Sequence, residues 1–182
     1  MNISDVPIYI AGVNTGLASL AGELCQGFHA HPFNSPQYLQ QVILPAIEKG
    51  ASKAGRPRTE IANSVTAFVA TSPEEETFAR AQISFYASTP SYKAVMAFHG
   101  WQDTAENLSV LAKQGQWGEM FGLITDEMLN TFCLVTDQGS LAVELRKRFA
   151  GIADRITLYI PFVPGERDDF WQKLASEFSA DQ

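Results

Sequence analysis

Apolar positions along this chain follow two alternating periods. Near the start, Ile8, Tyr9, Ile10 and Ala11 form an apolar run that meets Gly12, and the spacing then lengthens. Leu17, Leu20, Ala21 and Leu24 recur at i, i+3, i+4 and i+7, one face of a helix starting at Thr15. Gly27 to Phe33 returns to strand alternation, with His29 and His31 on one side and Phe28 and Ala30 on the other. Ser35-Pro36 reads as a helix start, with serine as cap and proline in the first turn, and Pro45 as a kink or break further along. The longest strand is expected over 60–71 and a helix from Ser72-Pro73, its first turn carrying Glu74, Glu75 and Glu76. From Phe78 to Asn130 the pattern is helical, interrupted near Ser88-Thr89-Pro90, Gly100 and Gly115. A short extended piece follows over 131–135, then a helix over about 140–149 and a last strand over 155–160. A terminal amphipathic helix falls within 165–179, with Phe170, Trp171, Leu174 and Phe178 on its packing side.

Four main strands alternating with helices predict an α/β fold with a parallel sheet and right-handed crossovers. Two architectures fit: an open doubly wound sheet, or half of a (β/α)8 barrel. A complete barrel typically needs about 250 residues, more than the 182 of this chain. No linker divides the sequence, so residues 1–182 read as a single domain.

The composition narrows the function classes. The chain is 46% hydrophobic and 18% charged with a net charge of −7, which argues against a nucleic-acid partner. No apolar stretch approaches the roughly 20 residues needed to span a bilayer, and no signal peptide is apparent, so no membrane partner is expected. Cys25 and Cys133 show no pairing or metal spacing. Two free thiols fit a cytoplasmic protein.

The turn Ala11-Gly12-Val13-Asn14 lies where a strand hands over to a helix. Its N–H groups there suit an anion such as a phosphate, or Gly12 serves only to let the chain turn tightly. Asn14 and Thr15 are candidates to cap the helix. His31 sits at the carboxyl end of its strand, and its ordinary pKa near neutrality suits a proton donor or substrate contact; His29 reads as an interior residue satisfied by a carbonyl. The aromatic stretch from Phe85 to Trp101 reads as core first, and as a lid or dimer surface second.

Several segments together resemble the carboxyl-terminal half of the luciferase-like flavin and deazaflavin oxidoreductases. They are Pro7 to Gly12, Leu20-Ala21-Gly22-Glu23, His29 to Phe33, Leu44-Pro45-Ala46 and Lys53 to Arg56. Phe85 to Tyr92, His99-Gly100-Trp101, Ile124 to Met128 and Asp154 to Tyr159 look like a subgroup that uses coenzyme F420. The resemblance runs over about 7–161. It implies strands five to eight of a (β/α)8 barrel, with a helical insertion before the last strand, and hydride transfer between F420 (FMN as the alternative) and a small organic substrate. It also implies that Ala11, Gly12, Val13 and Asn14 approach the coenzyme, with His31 as the catalytic candidate. The family's members are about twice as long, which makes this a fragment or a truncated member. Gln26 stands where the family usually has aspartate, and Thr136-Asp137-Gln138-Gly139 replaces the usual Gly-Thr-Pro-Glu helix start. The alternative is a catalytically silent half-barrel. Its two bare sheet edges predict a homodimer.

Overall fold

The structure is a computed structural model in which residues 6–179 are described; the ends of the predicted 1–182 domain lie outside them. Five strands form one parallel sheet: β1 Tyr9–Gly12, β2 Gly27–Ala30, β3 Ala62–Ala70, β4 Cys133–Val135 and β5 Arg155–Tyr159. Val65 is registered with both Ala30 and Ile156, so β2 and β5 flank β3. Phe68 is registered with both Cys133 and Tyr159, which puts the short β4 on the β2 side, beyond the end of β2. The main order is therefore β1-β2-β3-β5, with β1 and β5 as the edges.

The helices are α1 Thr15–Leu24, α2 Pro36–Tyr38, α3 Leu44–Lys53, α4 Pro73–Ser88, α5 Lys93–Phe98, α6 Gln102–Lys113, α7 Trp117–Met120, α8 Asp126–Phe132, α9 Leu141–Phe149 and α10 Asp168–Ser179. The segment α4 to α9, with β4 within it, forms the predicted helical insertion between β3 and β5. Pro45 is accommodated rather than disruptive. A π turn over Leu39–Ile43 joins α2 to α3 in one continuous helix, and Pro45 follows directly after that widened turn.

One correction concerns α1. Its buried residues are Ala18, Ala21 and Gly22, while Leu17, Leu20 and Leu24 of the predicted stripe are 45%, 38% and 65% exposed. The reason is the close crossing of α1 and α3. A Cβ on Gly22 would lie 2.0 Å from the Ile47 carbonyl oxygen, and one on Gly50 would lie 1.9 Å from that of Ser19. Backbones this near leave room only for small residues, so the leucines turn to the flank away from α3, beside β1.

The sheet has two unlike faces. Phe28, Ala30, Val65, Ala67 and Val69 are buried on one, where Gly12 and Phe28 meet Leu17 of α1. By register, the other carries Tyr9, Ala11, His29, Ser64, Thr66, Phe68, Arg155, Thr157 and Tyr159. Ala11, Arg155 and Thr157 on this polar face are exposed. The Arg155 guanidinium lies 5.8 Å from the Tyr9 ring centre, across two intervening strands. The Tyr9 ring leans across Gly27, where a Cβ would stand 2.1 Å from Tyr9 Cε1, and so reaches toward Arg155.

Candidate active site

The carboxyl ends of the strands gather the residues singled out in the sequence. The Gly12 carbonyl accepts the His31 N–H at 2.9 Å, which extends the β1–β2 ladder and brings the turn and the histidine side by side. A Cβ on Gly12 would stand 3.0 Å from Leu17 Cβ and 3.3 Å from Phe28 Cε2, so its small size serves packing under α1.

Asn14 departs from expectation. It occupies the cap position of α1, but its side chain makes no cap hydrogen bond. Instead Asn14 Nδ2 donates to the Ser91 carbonyl at 2.9 Å, and Asn14 Oδ1 accepts from the Tyr38 hydroxyl at 3.4 Å. The first turn of α1 holds no acidic residue. Beside it lies a cavity of about 450 Å³ lined by Asn14, Thr15, Tyr38, Ser91 and the apolar Val42 and Phe98, with no charged side chain among the lining residues. Neutral donors around a helix amino terminus suit an anionic group.

His31 is half-buried, and its hydrogen bonds define its state. Phe33 N–H donates to Nδ1 at 3.1 Å, which assigns the neutral ring's proton to Nε2; Nε2 then donates to the Tyr92 hydroxyl at 3.1 Å. Burial pushes the His31 pKa down from 6.5 to about 4. At neutral pH it is thus a neutral imidazole that offers a hydrogen bond, in place of the readily titrating group its type predicts. Tyr92 stacks on it at 4.7 Å and Tyr86 meets it edge-on at 4.7 Å. The Tyr86 hydroxyl lies 3.2 Å from that of Tyr159, which donates to Gln82 Oε1 at 3.2 Å. Burial, and then the neighbouring Tyr159, raise the Tyr86 pKa. Deeper on the same face, His29 Nε2 lies 2.9 Å from Thr66 Oγ1, so a hydroxyl takes the place of the expected carbonyl.

The β3–α4 turn was not legible as a built structure. Three acids in a helix's first turn read as a solvated helix start, yet the Glu75 side chain is 12% exposed. Its carboxylate accepts from the Thr71 N–H at 2.6 Å and the Thr71 hydroxyl at 2.9 Å, and pairs with Arg167. Burial alone would raise the Glu75 pKa; the Thr71 and Arg167 hydrogen bonds and the Arg167 charge hold it below the usual range. Ser72 Oγ caps α4 as expected, accepting from Glu75 N–H at 3.3 Å. The only sequence signal for Arg167 was an unassigned cation after the last strand.

Both departures from the family pattern have local roles. Gln26 Oε1 accepts the Ile8 N–H at 3.0 Å and so ties down the start of β1. Asp137 accepts from Gly139 N–H at 2.8 Å and Ser140 N–H at 3.0 Å, which orders the turn before α9, while the helix itself has no side-chain cap. Of the aromatic stretch, Tyr86, Tyr92, Phe98 and Trp101 pack against the core, while Phe85 is 47% exposed. Both cysteines are free and buried. Among the described residues there is no cluster of potential metal ligands and no helix long and apolar enough to cross a membrane.

A family model for luciferase-like monooxygenases matches residues 2–155. The chain belongs to that family. An uncharacterized protein of Mycobacterium tuberculosis is 38% identical over 155 residues, covering 82% of this chain and 46% of its own length. The 5,10-methylenetetrahydromethanopterin reductase of Methanopyrus kandleri is 24% identical over 164 residues, covering 88% and 46%. The solved structure of the coenzyme F420 dependent tetrahydromethanopterin reductase from that organism aligns with a TM-score of 0.75 at 20% identity, over 98% of this chain and 52% of its own. Family membership and an α/β fold like that reductase's follow. The chain spans about half the length of the curated relatives it matches.

Proposed function

We propose that this chain is the carboxyl-terminal half-barrel of an F420-dependent luciferase-like oxidoreductase. In this reading β1, β2, β3 and β5 take the places of strands five to eight of a (β/α)8 barrel. The main strand order and the shared strand direction support it, as does coverage of nearly all of this chain but half of the reductase. The chain then acts in the cytoplasm on a small organic substrate, as part of a longer or assembled barrel.

The carrying observation is the open amino terminus of α1. Asn14 is turned aside to Ser91 and Tyr38 and leaves α1 without a side-chain cap, and the helix start at Asn14 and Thr15 lines a cavity with no charged side chain among its lining residues. An anionic group of the coenzyme fits there, with Ala11, Gly12 and Val13 supplying backbone beside it. When bound, F420 supplies the hydride chemistry, and the chain's task is to hold and orient it. His31 and Tyr92 sit one strand away as linked hydrogen-bond donors; their neutral state suits orientation of a substrate oxygen. FMN, also anionic, is the less favoured ligand, because the reductase with the matching fold is named for F420.

Titration of the purified chain with F420 and with FMN, followed by absorbance and fluorescence, tests the reading. Saturable binding of F420, tighter than FMN and weakened by Gly12→Val, is expected. Binding of neither would overturn the coenzyme assignment for this chain and leave the second reading, a catalytically silent half-barrel. The exposed leucines of α1 and the two open sheet edges favour that alternative.

A further inference from the structure

We propose, resting on the oxidoreductase reading above, that Tyr92 is the residue that presents a proton to an oxygen of the substrate, and that Asn14 is its positioning residue. His31 then holds Tyr92 from behind and does not itself meet the substrate.

The hydrogen bonds at the carboxyl ends of the strands account for the protons one by one. His31 has none to offer a ligand. Its Nδ1 accepts the Phe33 N–H at 3.1 Å, and its Nε2–H goes to the Tyr92 hydroxyl oxygen at 3.1 Å. Tyr159 gives its proton to Gln82 Oε1 at 3.2 Å, so the Tyr86 hydroxyl, 3.2 Å from that of Tyr159, donates within that pair. Tyr38 gives its proton to Asn14 Oδ1 at 3.4 Å. Tyr92 differs from these tyrosines. Its oxygen accepts from His31, and its own proton has no acceptor among the described residues. Burial raises the Tyr92 pKa above its ordinary value, so the hydroxyl keeps that proton at neutral pH. A hydroxyl that already accepts a bond from an imidazole is polarised toward giving a stronger one.

Asn14 fixes where that proton lies. Pro90, Ser91 and Tyr92 form one short 3-10 turn, closed by the Tyr92 N–H to the Thr89 carbonyl at 3.0 Å. Asn14 Nδ2 holds the Ser91 carbonyl at 2.9 Å, and the His31 N–H holds the Gly12 carbonyl at 2.9 Å. Together with the His31–Tyr92 bond these close a ring. It runs along the chain from Gly12 to Asn14, across to Ser91 and Tyr92, across to His31, and back to Gly12. Stacking on His31 at 4.7 Å and an edge contact with Tyr86 at 5.4 Å set the plane of the Tyr92 ring. The turn assigned to the coenzyme and the donor assigned to the substrate thus belong to one hydrogen-bonded unit. Asn14 leaves α1 uncapped because its amide is spent on that unit.

Nitrogen NMR spectra of the three imidazoles in the full chain test the ring, with His31→Gln supplying the assignment. Tyr92→Phe should shift His31 Nε2 while Nδ1 stays, and Asn14→Ala should move Nε2 the same way by less. Asn14→Asp separates positioning from stability. Aspartate can cap α1 and still accept from Tyr38, but it cannot donate to Ser91. It should therefore raise the melting temperature and yet give the Asn14→Ala spectrum. Dimethyl sulfoxide, a small acceptor with no proton to give, tests the donor. It should shift His31 Nε2 saturably in the native chain, less in Asn14→Ala, and not in Tyr92→Phe. Acetylation by N-acetylimidazole, read by peptide mapping, should reach Tyr92 before Tyr38, Tyr86 and Tyr159. No sulfoxide shift in the native chain, or an equal one in Tyr92→Phe, overturns the donor assignment, as does acetylation of Tyr92 after the other three. A native spectrum in Asn14→Asp overturns the positioning role. All of these measurements are made without coenzyme. Failure of F420 to bind therefore sinks the coenzyme assignment alone, and F420 binding without a sulfoxide response sinks only the role of Tyr92.

Discussion

Two strand-to-helix turns stand at the same end of this sheet, and they are finished in opposite ways. At the β3–α4 turn the helix start is closed internally: Ser72 caps the helix, Glu75 takes the Thr71 N–H and hydroxyl, and Arg167 pairs with Glu75, its buried Nε alone left without a partner. At the β1–α1 turn the residue in the cap position looks elsewhere, and no acid occupies the first turn. On the proposed reading, the difference separates a turn closed on itself from one whose uncapped helix start is left for the coenzyme. Position at the carboxyl end of a strand does not distinguish them. The side chains that do or do not satisfy the helix amino terminus do.

The largest effect is expected from opening the closed turn. Glu75→Ala leaves the Thr71 groups and Arg167 without their acceptor and should cost about 2–3 kcal/mol, seen as a lower urea midpoint with an unchanged slope. Coenzyme binding at α1 should be little altered; an equal loss there would show that the two turns are not independent.

Beside the open turn, the depressed His31 pKa gives a stability change with pH. Its folded pKa of about 4 lies below the ordinary 6.5, so the unfolded chain binds more protons between those values. The His31 contribution is therefore full above pH 6.5 and is lost as pH falls toward 4. Allowing for solvent screening of a half-buried group, the loss should be about 1–2 kcal/mol. His31→Gln should flatten that part of the profile in denaturation experiments across this range.

Making the open turn resemble the closed one should separate stability from binding. A Cβ at Gly16, in the first turn of α1, meets nothing within 4 Å. Gly16→Glu should therefore stabilise the chain by about 1 kcal/mol through helix propensity and the helix dipole, while weakening binding of an anionic coenzyme. Tighter binding in this variant would count against an anion site at α1. The smallest contrast is between the cap positions themselves. Ser72→Ala should cost about 1 kcal/mol as a lost cap, and Asn14→Ala about 0.5 kcal/mol through its solvent-accessible bond to Ser91 and its long bond to Tyr38, with no cap to lose. Paired thermal melts would decide this.

The same contrast marks what could be read from the chain. Ser35-Pro36 and Ser72-Pro73 were legible because capping chemistry is local, spanning three residues. The strands at Tyr9–Gly12, Ala62–Ala70 and Arg155–Tyr159 were legible from apolar runs and the breaks around them. The role of Asn14 was not, because its partners Tyr38 and Ser91 are 24 and 77 positions away. Nor was the Glu75–Arg167 pair, 92 positions apart, which turned an apparently solvated acid into a buried anchor. The leucines of α1 misled for a different reason. A heptad-like apolar stripe normally faces the core, but the glycine crossing gave the core side to alanines and left the larger residues at the sheet edge. Periodicity reports that a helix has an apolar face, and not what covers it.

The crossing of Gly22 and Gly50 also bears on how the chain acquires its structure. The helices it joins are separated by less than a fifth of the sequence, and contacts of short separation close with a small entropy loss. α1 and α3 can dock around β1 and β2 before the long insertion has found β5. The two glycines then mark an early nucleus, and amide exchange should be slowest along the backbone they hold together.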